Sequence, residues 1–205
     1  MWYSYYGNGY VAQQWPLSYR QNNANNIAYY FRQQGWTLNA ICAMLGNMQV
    51  ESYLNPAQWQ HGLPVEMASG ETGYGLVQWT KYTKYTDWAT SYGIDWKTNF
   101  DFQLTRIQWE LENDQQWQSV LWHGMTFREF SQSEDSVYTL TEAFLRAYEN
   151  PNDPSQSLSI RQTNAAYWYE YFTGHPPTPP TPEPGTSKKF KLMFYLKPKW
   201  KRGIY

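Results

Sequence analysis

Residues 37–56 read TLNAICAMLGNMQVESYLNP. Leu38, Ile41, Met44, Leu45 and Met48 recur at intervals of three and four, the spacing that lays an apolar stripe along one face of an α-helix. Thr37 stands where an N-cap hydroxyl accepts from the first unpaired amides. At about 100° per residue, Glu51 follows Met48 by three positions and Met44 by seven, on the margin of that stripe. The stretch predicts a core helix with a carboxyl group on its last turn. Met44, Met48 and nearby aromatics would desolvate that group, and burial disfavours the ionised form, so its pKa is expected to rise. A raised pKa is what a general acid needs.

Working outward, residues 23–34 (NANNIAYYFRQQ) place Ile27, Tyr30 and Phe31 at helical spacing, with Gly35 as a left-handed cap. After Asn55-Pro56 the pattern changes. Residues 57–79 hold Gly62, Gly70, Gly73 and Gly75 among polar side chains and predict irregular chain with one short β-hairpin, its second strand at residues 74–79. Helical periods return over 81–92, which Gly93 ends, and over 99–116, with Phe100, Leu104, Ile107 and Leu111 on one face. A short turn at 127–130 precedes a helix over 136–149 (Val137, Leu140, Phe144, Tyr148) and another over 157–172 (Ile160, Ala165, Trp168, Phe172). The expected fold is α+β, predominantly α, with a small hairpin between the second and third helices.

The 205 residues carry 16 Lys+Arg against 17 Asp+Glu, and 20% are aromatic. That aromatic mass excludes a disordered chain. The near-zero net charge conceals an asymmetry: residues 1–175 hold 9 basic and 16 acidic residues, while residues 186–205 hold seven basic and none acidic. Between them HPPTPPTPEPGTS, residues 175–187, supplies six of the 12 prolines and predicts an extended spacer. The expected organisation is an N-terminal extension (1–21), a folded domain (22–174), a Pro-rich linker (175–187) and a short basic tail (188–205). No run approaches the roughly 18 apolar residues of a membrane span, and MWYSYYGNGYVAQQ lacks the basic patch and apolar core of a signal peptide. The lone Cys42 excludes an internal disulfide and, on an apolar face, reads as a buried inert thiol. His61, His123 and His175 are too scattered for a zinc site, and no metal or cofactor is expected.

Two segments carry the chemistry. Residues 46–56 (GNMQVESYLNP) deliver an acid from a helix end, and residues 73–79 (GYGLVQW) deliver a glycine-loosened edge that a substrate backbone could approach. Glu-Ser-x-Leu-Asn-Pro followed some twenty residues later by Gly-Tyr-Gly-Leu-Val-Gln-Trp-Thr resembles the phage tail lysozyme family, a branch of the goose-type lysozyme and soluble lytic transglycosylase superfamily. The resemblance covers roughly residues 22–174 and extends to Phe144-Leu145-Arg146-Ala147-Tyr148-Glu149-Asn150-Pro151.

It implies a lysozyme-like fold that cleaves the β-1,4 bond between N-acetylmuramic acid and N-acetylglucosamine, from a virion tail at the host wall. Glu51 matches the catalytic acid and Gln78 the family's glutamine beside the reacting sugar. Tyr148 is similar in placement to the tyrosine that supports the acid in the transglycosylases. Those relatives usually have Tyr-Asn where this chain has Tyr148-Glu149, which leaves a second carboxylate available and weakens a transglycosylase reading. Glycoside hydrolysis ordinarily uses two carboxylates. Glu71, Glu66 and Glu149 are the candidate partners of Glu51, and Glu71, at a glycine-flanked tip, ranks first. Tyr74, Trp79 and Trp59 are candidates for stacking on sugar rings, with a place in the core as the alternative, and Ser52 and Glu149 complete the expected substrate contacts.

The basic tail would attract phosphates. Its alternation of Phe190, Leu192, Phe194 and Leu196 with Lys191, Met193, Tyr195 and Lys197 reads instead as a short strand that docks on anionic wall polymers or other tail proteins, or as the stub of a second domain, and not as a nucleic-acid arm. A lytic transglycosylase, or a glycan-binding or structural tail module without activity, remains the alternative to a hydrolase.

Overall fold

A computed structural model describes residues 1–5, 15–62 and 70–175. Seven α-helices occur among them: α1 (Leu17–Gln33), α2 (Leu38–Ser52), α3 (Thr83–Ser91), α4 (Asp101–Glu112), α5 (Phe127–Gln132), α6 (Val137–Phe144) and α7 (Ser155–Gly174). A π-helical turn, Leu145–Glu149, continues α6. The basic tail, Glu66 and all of the linker except His175 lie outside the described residues.

Helix α2 is the centre of the molecule. Thr37 caps it by accepting from the Ala40 amide, and Ala40 through Met48 are all buried, so the predicted stripe widens to the whole circumference. It packs most extensively on α7 and next on α6. The α2–α7 approach is close because position 46 is glycine: a Cβ there would stand 2.5 Å from the Arg161 carbonyl oxygen and 2.7 Å from Ala165 Cβ. Gln49 fastens the same seam, accepting from Trp168 Nε1 and donating to Asn164 Oδ1, each at 2.9 Å. Cys42 lies in this interior, where burial pushes its thiol pKa far above the ordinary range. Two aromatic clusters complete the core: Trp36, Trp117, Phe127, Phe130, Phe144 and Tyr148 in one, and Trp59, Tyr74, Trp79, Tyr85 and Trp96 in the other.

The predicted hairpin does not form, and the α+β expectation is corrected to an all-helical fold: no strand or sheet occurs among the described residues. What remains of it is two isolated bridges, Trp59 with Tyr74 and Tyr74 with Trp79. Gln60 N–H donates to Gly73 O and Gly75 N–H to Gln58 O, both at 2.9 Å, but the chain turns before a ladder can extend. Gly75 (φ +86°) and Gln78 (φ +49°) both adopt left-handed backbone, so residues 74–79 close on themselves through Trp79 N–H to Tyr74 O. Gln103 of α4 clamps this turn, accepting from Leu76 N–H and donating to Pro56 O at 2.7 Å. Added bulk at Gly75 would strike that carboxamide, so glycine is required there twice over.

Helix α7 departs from expectation in register. Its buried residues are Arg161, Ala165, Trp168 and Phe172, while Ile160 is half exposed. Residues 1–5 lie along the body: Asn23 accepts from Tyr3 N–H and donates to its carbonyl, and Asn55 does the same for Tyr5. Among the described residues no helix is long and apolar enough to cross a membrane.

Candidate active site

A cleft of about 590 Å³ opens at the C-terminal end of α2. Three segments line it: Val50 and Glu51 of α2, the loop side chains Gln58, Trp59, Gln60, His61, Gln78 and Thr80, and Glu149, which ends the π turn, with Asn150, Pro151 and Asn152 after it. Glu51 arrives there because α2 carries it on its last turn. Ser52 then locks that turn to the neighbouring loop, its hydroxyl lying 3.0 Å from Met48 O and 2.9 Å from Leu76 O.

Glu51 faces a cation. Arg161 Nη2 donates to Glu51 Oε1 at 2.5 Å, with the arginine side chain 6% exposed and the glutamate 20%. The remaining guanidinium donors are held by Asn47 Oδ1 at 3.1 Å and Ser157 Oγ at 2.9 Å. Asn47 is itself fixed, donating to Ala43 O and Thr141 O, so α2, α6 and α7 together orient the arginine. The charge is planted in a rigid frame.

The second carboxyl group of the cleft is Glu149. Its Oε1 is buried and has no hydrogen-bond partner among the described residues. Burial pushes its pKa well above the ordinary carboxylate range, the Glu51 charge raises it further, Arg161 opposes the rise, and Glu110 adds to it. One wall away from Glu51, Glu149 carries a raised pKa.

The other expected residues divide. Gln78 lines the cleft, and its amide donates to Gln58 O at 3.0 Å and Gly75 O at 2.8 Å, which leaves its carbonyl oxygen to offer a ligand. Trp59 also lines the cleft although it is 4% exposed. Tyr74 and Trp79 are buried in the core and do not line it. Glu71 is 72% exposed, pairs with Lys81 at 2.6 Å, and is not among the cleft residues. Tyr148 is buried with its hydroxyl committed to Glu110 Oε2 at 2.6 Å. Among the described residues no group of three His, Cys, Asp or Glu side chains could hold a metal ion.

The profile of the phage tail lysozyme family matches residues 22–172. The chain belongs to that family. The resemblance drawn from the two motifs is thereby borne out over nearly the whole folded body. Among similar proteins is morphogenesis protein 1 of Bacillus phage B103, 45% identical over 152 residues, which are 74% of this chain and 40% of that protein. The chain thus spans about two-fifths of the length of that relative.

Sequence reasoning passed over two charged residues that act on the cleft carboxyl groups from outside its lining. Arg161 was signalled by register: from Phe172, steps of four, three and four lead through Trp168 and Ala165 to position 161. Glu110 was signalled by its place beside Leu111, three residues after Ile107, on the apolar side of α4.

Proposed function

We propose that the chain is a muramidase that hydrolyses the β-1,4 bond between N-acetylmuramic acid and N-acetylglucosamine, with Glu51 and Glu149 as its carboxyl pair, and that it serves a virion tail in local penetration of the host wall. The observation that carries this reading is the meeting of two acidic side chains in one cleft, one against Arg161 and the other with a pKa raised by burial. The pair supplies one proton and one charge, the two things glycoside hydrolysis ordinarily draws from carboxyl groups. The family motif marks Glu51 as the member that acts at the scissile bond. Burial raises the Glu149 pKa and so favours its protonated form. Gln78 offers an acceptor to the sugar on the loop side, and Trp59 adds an aromatic wall. Membership of the family, and a phage morphogenesis protein among the relatives, support delivery by a virion.

Turbidity of purified cell walls tests the proposal. Wild type should clear them, and Glu51→Gln should lose activity by about a hundredfold or more while keeping its circular dichroism spectrum. Clearing by Glu51→Gln at the wild-type rate would sink the assignment. Mass spectrometry of the products should show reducing muramic acid ends; anhydro ends would replace hydrolysis with transglycosylation.

A further inference from the structure

Glu110 lies in α4, outside the cleft lining, and is fully buried. Its carboxylate collects donors from three places. Trp79 Nε1 donates to Oε1 at 3.0 Å, Tyr148 Oη donates to Oε2 at 2.6 Å, and Arg106 Nε, one helical turn back, donates to Oε1 at 2.8 Å. Arg106 is itself held over the Trp88 and Trp109 rings, 5.1 and 4.6 Å from their centroids. Three donors converge on two oxygens: burial raises the Glu110 pKa above the ordinary carboxylate range, and Arg106, Tyr148 and Trp79 oppose the rise.

What these donors are attached to is the point. Trp79 is the chain neighbour of Gln78, and Tyr148 is the chain neighbour of Glu149. Gln78 and Glu149 stand on different walls of the cleft. We propose that Glu110 is a positioning residue of this active site: by holding Trp79 and Tyr148 at once, it fixes the wall that carries Gln78 against the wall that carries Glu149. The inference rests on the muramidase reading for its effect on rate, but its effect on Glu149 does not.

The Glu110 link adds to the Gln103 clamp on the loop and to Gln116 Nε2, which donates to Tyr148 O on the π turn, and it alone of these joins the two walls through side chains next to Gln78 and Glu149. The loop at 74–79 has no sheet beneath it, and the π turn leaves the regular helical ladder just where Glu149 emerges. A displacement of about 1 Å between reacting groups costs on the order of a hundredfold in rate, so a rigid brace between the walls matters more than its distance from the substrate suggests. Glu110 also contributes a field. The charged groups acting on Glu149 come from each neighbouring element: Glu51 from α2, Arg161 from α7 and Glu110 from α4, and the negative charge of Glu110 adds to the rise in the Glu149 pKa. His61 lines the same cleft from the loop.

The test compares wild type, Glu110→Gln and Tyr148→Phe by wall-lysis kinetics and by a carbon-13 NMR titration of the Glu149 carboxyl. Glu110→Gln keeps the side-chain shape but removes the charge. It should lower kcat at least roughly tenfold with KM within about threefold, and should move the Glu149 titration toward lower pH. Tyr148→Phe removes one donor, keeps the ring in the core, and carries the same test if Glu110→Gln fails to fold: its kcat should fall severalfold at unchanged KM. Wild-type lysis with kcat within twofold in both variants, and an unmoved Glu149 titration in Glu110→Gln, would overturn the inference and leave the muramidase reading standing. No lysis by wild type, with the Glu149 titration still displaced in Glu110→Gln, would overturn the muramidase reading and support the link between Glu110 and Glu149.

Discussion

The cleft brings together two glutamates held in opposite ways. Glu51 ends a regular helix that is buried on all sides, and it meets a guanidinium fastened by Asn47 and Ser157. Glu149 ends a π turn, has a buried oxygen without a partner, and finds like charges in Glu51 and Glu110. One wall is built to hold a charge and the other to refuse one. The difference is made by backbone and neighbours, since the two side chains are chemically the same, and it is how a single residue type can supply both a proton and a negative charge.

The contrast can be broken most severely from its cation. Arg161→Met leaves Glu51 without its partner beside a second acid, and removing one member of a buried pair costs about 3–5 kcal/mol. The melting temperature should fall by on the order of 10 °C at neutral pH and by less in acid, where the carboxyls take up protons, as thermal denaturation across pH would show. A smaller loss should follow Gly46→Ala. The new methyl group meets backbone of α7, which cannot swing aside, and overpacking of this kind costs about 1–3 kcal/mol in a urea titration. Activity should fall with it, because α7 carries Arg161.

Glu149→Gln should act in the opposite direction. In the unfolded chain this carboxyl titrates in the ordinary range, and in the folded protein it titrates above it. Between the two the folded protein binds more protons, so wild-type stability falls as pH rises through that window. Glutamine escapes the loss. The variant should melt a few degrees above wild type near pH 8 and level with it near pH 4, while losing lytic activity. The smallest effect belongs to Glu71→Gln: an exposed ion pair is worth less than about 1 kcal/mol, so stability should barely change and lysis should stay within twofold. A large loss of lysis would return Glu71 to the cleft.

The helices were legible because their signals are local. Thr37 caps α2 at the residue that the sequence marks, and the Thr126–Glu129 capping box opens α5 close to the expected turn. The stripe of α6 was read correctly as Val137, Leu140, Phe144 and Tyr148, all of them buried. The hairpin was misread because its glycines and alternating side chains are equally compatible with a closed turn. What decided between them was a left-handed glutamine at position 78 and the Gln103 clamp from another helix, and neither is a property of residues 57–79 alone. Glu71, ranked first as the partner of Glu51, lies outside the cleft lining, and the reason is related. Glu71 had the flexible, polar neighbourhood that a sequence associates with a cleft, whereas Glu149 looked like a helix-end residue before Pro151. The charged groups that act on Glu149, Glu51 of α2, Glu110 of α4 and Arg161 of α7, come from distant parts of the chain.

The single cysteine offers a use of its own. Cys42 sits at the middle of α2 with no exposed surface, and its thiolate, the reactive form, is suppressed by burial. A maleimide reagent should therefore label the folded protein only when the helix parts from its neighbours. The labelling rate under native conditions is a clock for those openings, and because the chain has one thiol, every modified molecule reports the same event.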